Sequence, residues 1–204
     1  MYITTPSVQL QSLAQAQAQA VMSSRGLLVP LVAPLHLLSF STLLGSQLYQ
    51  TFLVTKICHA SLPPSAFTTL QKRLFPIYFR GQSLLLLLTV ATVPPHGPFT
   101  VIADKAAWIP FAIAGVTAIL NYTIYGPRTR QIMIERIHQE TRDALQKQAT
   151  NDRADSETPS PEMQRIRRSF ARAHAMSIHL NLLTIGAMLW WGYKLASNLS
   201  LELN

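Results

Sequence analysis

Cysteine and charge are what this chain has least of. Cys58 is the single cysteine among 204 residues, so no intramolecular disulfide can form and no thiolate metal site can be assembled. An isolated thiol of this kind is expected to be a small buried hydrophobe. Asp, Glu, Lys and Arg make up 13% of the chain, against about 25% in average soluble domains. The spacings of a phosphate-binding Walker loop, a dinucleotide fingerprint and a zincin helix are all missing. These absences leave soluble-enzyme chemistry without support, in a chain that is 49% hydrophobic.

What is present is a set of long stretches free of Asp, Glu, Lys and Arg: Gly26–Thr55, Gly81–Ala103, Ala106–Pro127 and Ala173–Tyr193. Each reaches the ~20 residues that cross ~30 Å of hydrocarbon at 1.5 Å per residue. The expected fold is an all-α membrane protein, a bundle of four transmembrane helices with spans at about 33–55, 77–94, 106–125 and 172–194. Pro30 and Pro34 trim the first, and "VPPHGP" breaks the second and starts a turn. Residues 26–200 form this membrane domain. Residues 1–25, uncharged until Arg25 but too polar to span, read as a Gln/Ala-rich surface helix or tail.

The formal net charge of +8 would suit a nucleic-acid binder, but the basic residues sit beside apolar runs, which fits a membrane surface instead. Lys56, Lys72, Arg73 and Arg80 fall between spans one and two. Arg128, Arg130, Arg136, Arg142, Lys147, Arg153, Arg165, Arg167, Arg168 and Arg172 fall between spans three and four. Only Arg25, Lys105 and Lys194 are left for the other face. The positive-inside rule then puts both termini away from the cytosol.

The expected cytosolic connection, residues 127–165, begins where Gly126 and Pro127 end span three. Ile134, Ile137, Thr141 and Ala144 or Leu145 recur at helical spacing, an amphipathic pattern that would lie on the membrane or on the bundle. Arg136–Glu140 and Asp143–Lys147 add four-apart pairs. "TNDRADSETPSPEM" reads as a flexible linker. Thr158 and Ser160 precede proline and read as plain linker residues, with phosphorylation as the lesser alternative. Ser160 also N-caps the next helix, with Pro161 in its first turn. Arg165, Arg167, Arg168 and Arg172 then lie against the cytosolic leaflet, as a topology anchor or as contacts to anionic lipids.

Hydrocarbon penalises unpartnered polar groups, yet span one carries several. At 100° per residue, His36, Ser39, Leu43, Gln47 and Gln50 fall within about 80° of one another, so this face should look into the bundle. Span four repeats the pattern with His174, Ser177 and Asn181. His179 is turned away by roughly 140°, which argues against a His174–His179 metal pair. With Tyr78 and Arg80 from span two and Asn121 from span three, all four spans bring hydrogen-bonding groups to one cytosol-side level. The candidate polar site is therefore Gln47, Gln50, Tyr78, Arg80, Asn121, His174, Ser177 and Asn181, with His36 and Ser39 as a secondary pair at the opposite mouth. These groups either tie the helices together or line a pocket in which Arg80 attracts an anion.

Four stretches, "HLLSFSTLLGSQLYQTF", "LFPIYF", "NYTIYGPRT" and "FARAHAMSIHLNL", resemble the transmembrane protein 205 family, a eukaryotic group whose domain has no assigned function. The likeness covers about residues 34–190. It implies a small four-span membrane protein and carries over His36, Ser39, Gly45, Gln47, Thr51, Phe52, Phe75, Pro76, Tyr78, Phe79, Asn121, Pro127, Arg128, Thr129, His174, Ser177 and Asn181. Pro76 also reads plainly as the helix-start proline of span two.

The functional expectation is a non-enzymatic multi-pass protein that scaffolds partners or handles a lipid or small solute. A transporter or export accessory is the alternative, and a membrane enzyme using Tyr78 and His174 the remote one. No cofactor and no nucleic acid are expected. The spans contain no Asp or Glu, which weakens proton- or sodium-coupled schemes. The partners are the bilayer, protein partners or a second copy, with Gly45 and Gly115 as points of close helix approach. The endomembrane system is favoured over the mitochondrial outer membrane. Asn198–Leu199–Ser200 is a sequon expected to lie too near the bilayer for use.

Overall fold

The computed structural model describes residues 31–149 and 159–202, with side chains described up to residue 197. The tail 1–25, Arg153, Thr158 and the linker before it lie outside the described residues, as do the side chains of the Asn198 sequon. The described residues are helical and hold no strand. In chain order they form α1 (Leu31–Ser61), α2 (Pro64–Ala91), the short α3 (Pro98–Ala103), α4 (Lys105–Ala149) and α5 (Pro161–Glu202).

Three of these, α1, α2 and α4, are long and apolar enough to cross a membrane. Their outward faces are lined by exposed Leu35, Leu38, Leu84, Leu87, Val116 and Ile119, an apolar surface too extensive for a monomer in water. The chain is thus a helical membrane protein. The fourth expected span lies within the 42-residue α5, which is less apolar because His174, Ser177, His179 and Asn181 interrupt it.

The helices run further than the charge-free stretches that marked them. Leu62 is extended and the Pro63–Pro64 pair separates α1 from α2, so the expected basic loop between spans one and two shrinks to a two-residue turn. Lys56, Lys72, Arg73 and Arg80 all lie on helices. Pro64, not Pro76, occupies the helix start, and Pro76 sits inside α2. Lys72 and Arg73 had masked the continuity: a charge ends a membrane span but not a helix.

Nor do Gly126 and Pro127 end α4. A π-helical turn over Asn121–Tyr125 lets the Gly126 N–H reach the carbonyl of Asn121. Pro127 has no N–H to give, and the widened turn absorbs the bond it would otherwise leave missing. A Cβ on Gly126 would stand 2.6 Å from the Asn121 carbonyl oxygen and 3.2 Å from the Phe79 ring, so the glycine makes the turn possible. A second π turn, Tyr49–Val54, interrupts α1.

Beyond that turn α4 packs antiparallel on α5. The cluster there joins Ile132 to Ile166, Ala173 and Phe170. The expected stripe is therefore displaced: Thr129, Ile132, Met133 and Gln139 are buried, while Thr141 and Leu145 are exposed. The partner is the first half of α5, not a flat surface, and its register selects the face. Arg136 pairs with Glu140 at 2.9 Å as expected. Asp143 accepts instead from Gln139 at 2.7 Å and from Ser160 at 2.9 Å. Ser160 caps α5, accepting from the Met163 N–H at 3.2 Å.

The pairing continues along both helices. Asn121 meets Ser177, Thr117 meets Thr184 at 2.7 Å, and Asp104 meets Lys194 through a short ion pair. Asp104 also caps α4, accepting from the Ala106 N–H at 2.9 Å. These bonds hold its carboxyl below the usual carboxylate range, the Lys194 ammonium contributing most and the Ala106 amide next. The turn into α3 needs Gly97, whose φ is 63° and where a Cβ would stand 2.6 Å from the Ala91 carbonyl oxygen.

The hydrophobic core fills the Asp104 half of the bundle. Phe40, Leu43, Leu86, Phe111, Ala114, Met188 and Trp191 interlock there. Close approach occurs at Gly192, where a Cβ would stand 2.8 Å from the Phe40 ring. Within the protomer, Gly45 and Gly115 approach nothing within 4 Å. Gly45 is exposed and Gly115 half-buried. Cys58 is only half-buried, because α1 has by then run past the core.

Candidate functional site

The other half of the bundle holds a polar network and a cavity. The expected inward face of α1 is observed: His36, Leu43, Gln47 and Gln50 are buried, while Gly45 is exposed. On α5, Ser177, Asn181 and Thr184 are buried in a continuing row.

Asn181 is the hub. Its Oδ1 accepts from the Tyr78 hydroxyl at 2.8 Å and from Gln82 Nε2 at 3.3 Å, and its Nδ2 donates to Thr51 Oγ1 at 2.8 Å. One side chain thereby joins α1, α2 and α5. Asn121 Nδ2 donates to the Ser177 carbonyl at 3.0 Å, which joins α4 to α5 at the same level. Gln50 Nε2 donates to Thr55 Oγ1 at 3.4 Å across the Tyr49–Val54 π turn.

Beside this network lies a cavity of about 410 Å³. Of the eight expected site residues, Gln50, Tyr78, Arg80, His174, Ser177 and Asn181 line it. Gln47 and Asn121 do not; both are fully buried behind it. His174 stacks on Phe170, with ring centroids 5.3 Å apart, and it makes no hydrogen bond to Tyr78, whose hydroxyl is given to Asn181. His179 is exposed and contacts the Ala175 carbonyl at 2.6 Å.

The cavity wall is cationic on two helices. Lys72 and Arg80 come from α2 and Arg130 from α4, and no carboxylate stands among the lining residues. Phe75, Phe79 and Tyr122 add an aromatic side. Gln71 and Thr129 complete it, and the sequence reading missed Gln71 altogether. Gln71 is 2% exposed and Thr129 8%, and neither amide atom of Gln71 nor the Thr129 hydroxyl has a hydrogen-bond partner. A helical row was there to be read: Gln71, Phe75, Tyr78 and Gln82 recur at spacings of four, three and four. The row crosses Lys72, Pro76 and Arg80, and all of it but Gln82 lies ahead of Gly81, where the charge-free run begins.

The secondary pair is elsewhere. His36 lies among the core residues, its Nδ1 at 3.0 Å from the Thr89 carbonyl and its Nε2 at 3.1 Å from Trp191 Nε1. Ser39 bonds the His36 carbonyl at 3.0 Å. Both imidazole nitrogens are engaged by protein, so His36 has no free ligand atom.

Residues 38–138 match a family model described as "Domain of unknown function (DUF4149)". The match contains the Tyr49–Val54 and Asn121–Tyr125 π turns and the whole of α2. The chain is also 37% identical, over 166 residues, to "Xanthocillin biosynthesis cluster protein D" of Aspergillus fumigatus, a span of 81% of this chain and 90% of that protein. The chain belongs to the family of that fungal protein. The match runs from residue 38 within α1 through α2 and α3 to residue 138 within α4, while α5, which carries Asn181, lies beyond it. No solved structure matches the chain.

Proposed function

We propose that this DUF4149 protein crosses the membrane four times and uses the cavity at its basic end to hold a lipid or small solute without transforming it. The observation that carries the reading is the cavity wall: three cations, no carboxylate, and buried polar groups with no protein partner. Buried polar groups are normally bonded; Gln71 and Thr129, whose side chains line the cavity, keep unpartnered atoms there, and Gln47 and the Asn121 Oδ1 behind it are unpartnered as well. The polar network beside it is fully engaged at Asn181 and acts as the rigid floor.

The fourth crossing is supported by the pairing of α5 with α4 from Ser160–Asp143 to Lys194–Asp104. α5 therefore accompanies α4 over its length; Ser177 and Thr184 face that partner, while Asn181 faces α1 and α2. The basic ends of α2, α4 and α5 lie together, which favours both termini on the other side. Arg165, Arg167, Arg168 and Arg172 then face anionic headgroups. The four matching stretches support the finer assignment to the transmembrane protein 205 family.

An export role is the second reading, favoured by one observation: the relative is named for a biosynthesis cluster. Mass spectrometry of gently extracted protein separates these readings. A lipid bound stoichiometrically supports a lipid-handling role, and a small metabolite supports export. Neither being present contradicts both.

A further inference from the structure

Gln71 and Thr129 stand on different helices but at one depth. Gln71 precedes Tyr78 by seven residues on α2, and Thr129 follows Asn121 by eight on the oppositely directed α4. At 1.5 Å per residue both lie roughly 10–12 Å outward from the Asn181 network. Each is followed at once by a cation that also lines the cavity, Lys72 and Arg130. The outer end of the cavity thus combines two cations with two buried, unpartnered hydrogen-bonding side chains.

That combination restricts the ligand. The cations, with no carboxylate beside them, call for an anion. An anion alone would satisfy the Thr129 hydroxyl and one end of the Gln71 amide. It would leave the amide oxygen bare, since a primary amide presents an acceptor whichever way it is turned. With Lys72 and Arg130 turned to the anion, the amide oxygen is best met by a hydrogen-bond donor on the ligand itself. An ammonium donor would be set against Lys72 and Arg130, so the donor is a neutral hydroxyl. Oxygens must reach cations from both α2 and α4, which suits a tetrahedral phosphate ester better than a planar carboxylate. Phe75, Phe79 and Tyr122 then flank an apolar body.

We infer that the outer end of the cavity is a headgroup site for a phosphate ester bearing a free hydroxyl, its apolar body lying along the aromatic wall. This rests on the ligand-holding reading above and names its chemistry. The same chemistry occurs in glycerol- or polyol-headed phospholipids and in soluble polyol phosphates.

The test uses the delipidated full chain in neutral detergent, with thermal unfolding followed during titration. The probes are dioctanoyl phosphatidylglycerol, dioctanoyl phosphatidylcholine and glycerol 3-phosphate. Phosphatidylglycerol is expected to raise the midpoint saturably, at an apparent affinity at least about tenfold above that of phosphatidylcholine. Glycerol 3-phosphate acting alone at comparable concentration identifies a soluble source; its failure beside an active phosphatidylglycerol identifies a lipid. Gln71→Leu and Thr129→Val each remove a group that has no partner, so without ligand they should unfold at or above the wild-type midpoint. Each should weaken phosphatidylglycerol at least about tenfold. Equal response to the two lipids, or wild-type affinity in Gln71→Leu, overturns the headgroup assignment and leaves a ligand cavity standing. No response of the wild type to any probe overturns both.

Discussion

Trp191 donates its indole N–H to Nε2 of His36 at 3.1 Å, while Nδ1 of the same ring faces the Thr89 carbonyl at 3.0 Å. An acceptor at Nε2 and a donor at Nδ1 fix the neutral tautomer. The ring thereby fastens α1 to α2 and α5 within the hydrophobic core, and this histidine of the secondary pair is a tie.

Replacing His36 with Leu removes both bonds and leaves the Trp191 N–H buried without a partner. The expected loss is about 2–4 kcal/mol, read by denaturant or thermal unfolding in detergent. Ligand binding at the opposite end should persist in protein that folds. An unchanged midpoint would contradict the tie.

Asn181→Leu should also destabilise, because three interhelical bonds disappear together. At about 0.6 kcal/mol each in a membrane protein the loss is about 2 kcal/mol. Gln71→Leu, at a similar degree of burial, should cost nothing. That contrast in midpoint between two buried amides separates the bonded floor from the open cavity, and equal losses would contradict the distinction.

Most of the architecture was legible in the sequence, for a physical reason: lipid tolerates only apolar outward faces, so the polar rows of α1 and α5 had to face inward. The network at Asn181 followed from that row and from depth. Helix ends were less legible. Span length reports hydrocarbon thickness, while α2 and α4 continue past it on local helix-forming residues and packing. Gln71 was lost on that account, hidden in what read as a loop. The buried face of residues 126–149 was set by α5, a partner no local periodicity encodes, and by a π turn that shifts the register.

The π turn at Asn121–Tyr125 gives a third expectation. Gly126→Ala puts a methyl 2.6 Å from a backbone oxygen that has nowhere to move, and should cost about 1–3 kcal/mol. Gly115→Ala meets open space and should be neutral or stabilising by up to about 1 kcal/mol. Paired melting curves check both; equal behaviour of the two alanines would show that the turn is not constrained by Gly126.

The Asp104–Lys194 pair gives a pH dependence. The folded carboxyl titrates below its unfolded value, so its contribution is full above the unfolded carboxylate pKa of about 4. It is lost as pH falls through the depressed folded value. Unfolding midpoints of the wild type should therefore converge on those of Asp104→Asn in acid and separate above about pH 4–5. A difference that is constant across this range would contradict the pairing.

The most direct measurement of the cavity as a ligand site is crosslinking in membranes with a phosphatidylglycerol that carries a photoreactive group early in its acyl chain, followed by peptide mapping. Adducts on Phe75, Phe79 or Tyr122 that fall in Lys72→Met and Arg130→Met are the required result. Labelling confined to the outward Leu84 and Leu87, unchanged by those substitutions, would contradict it.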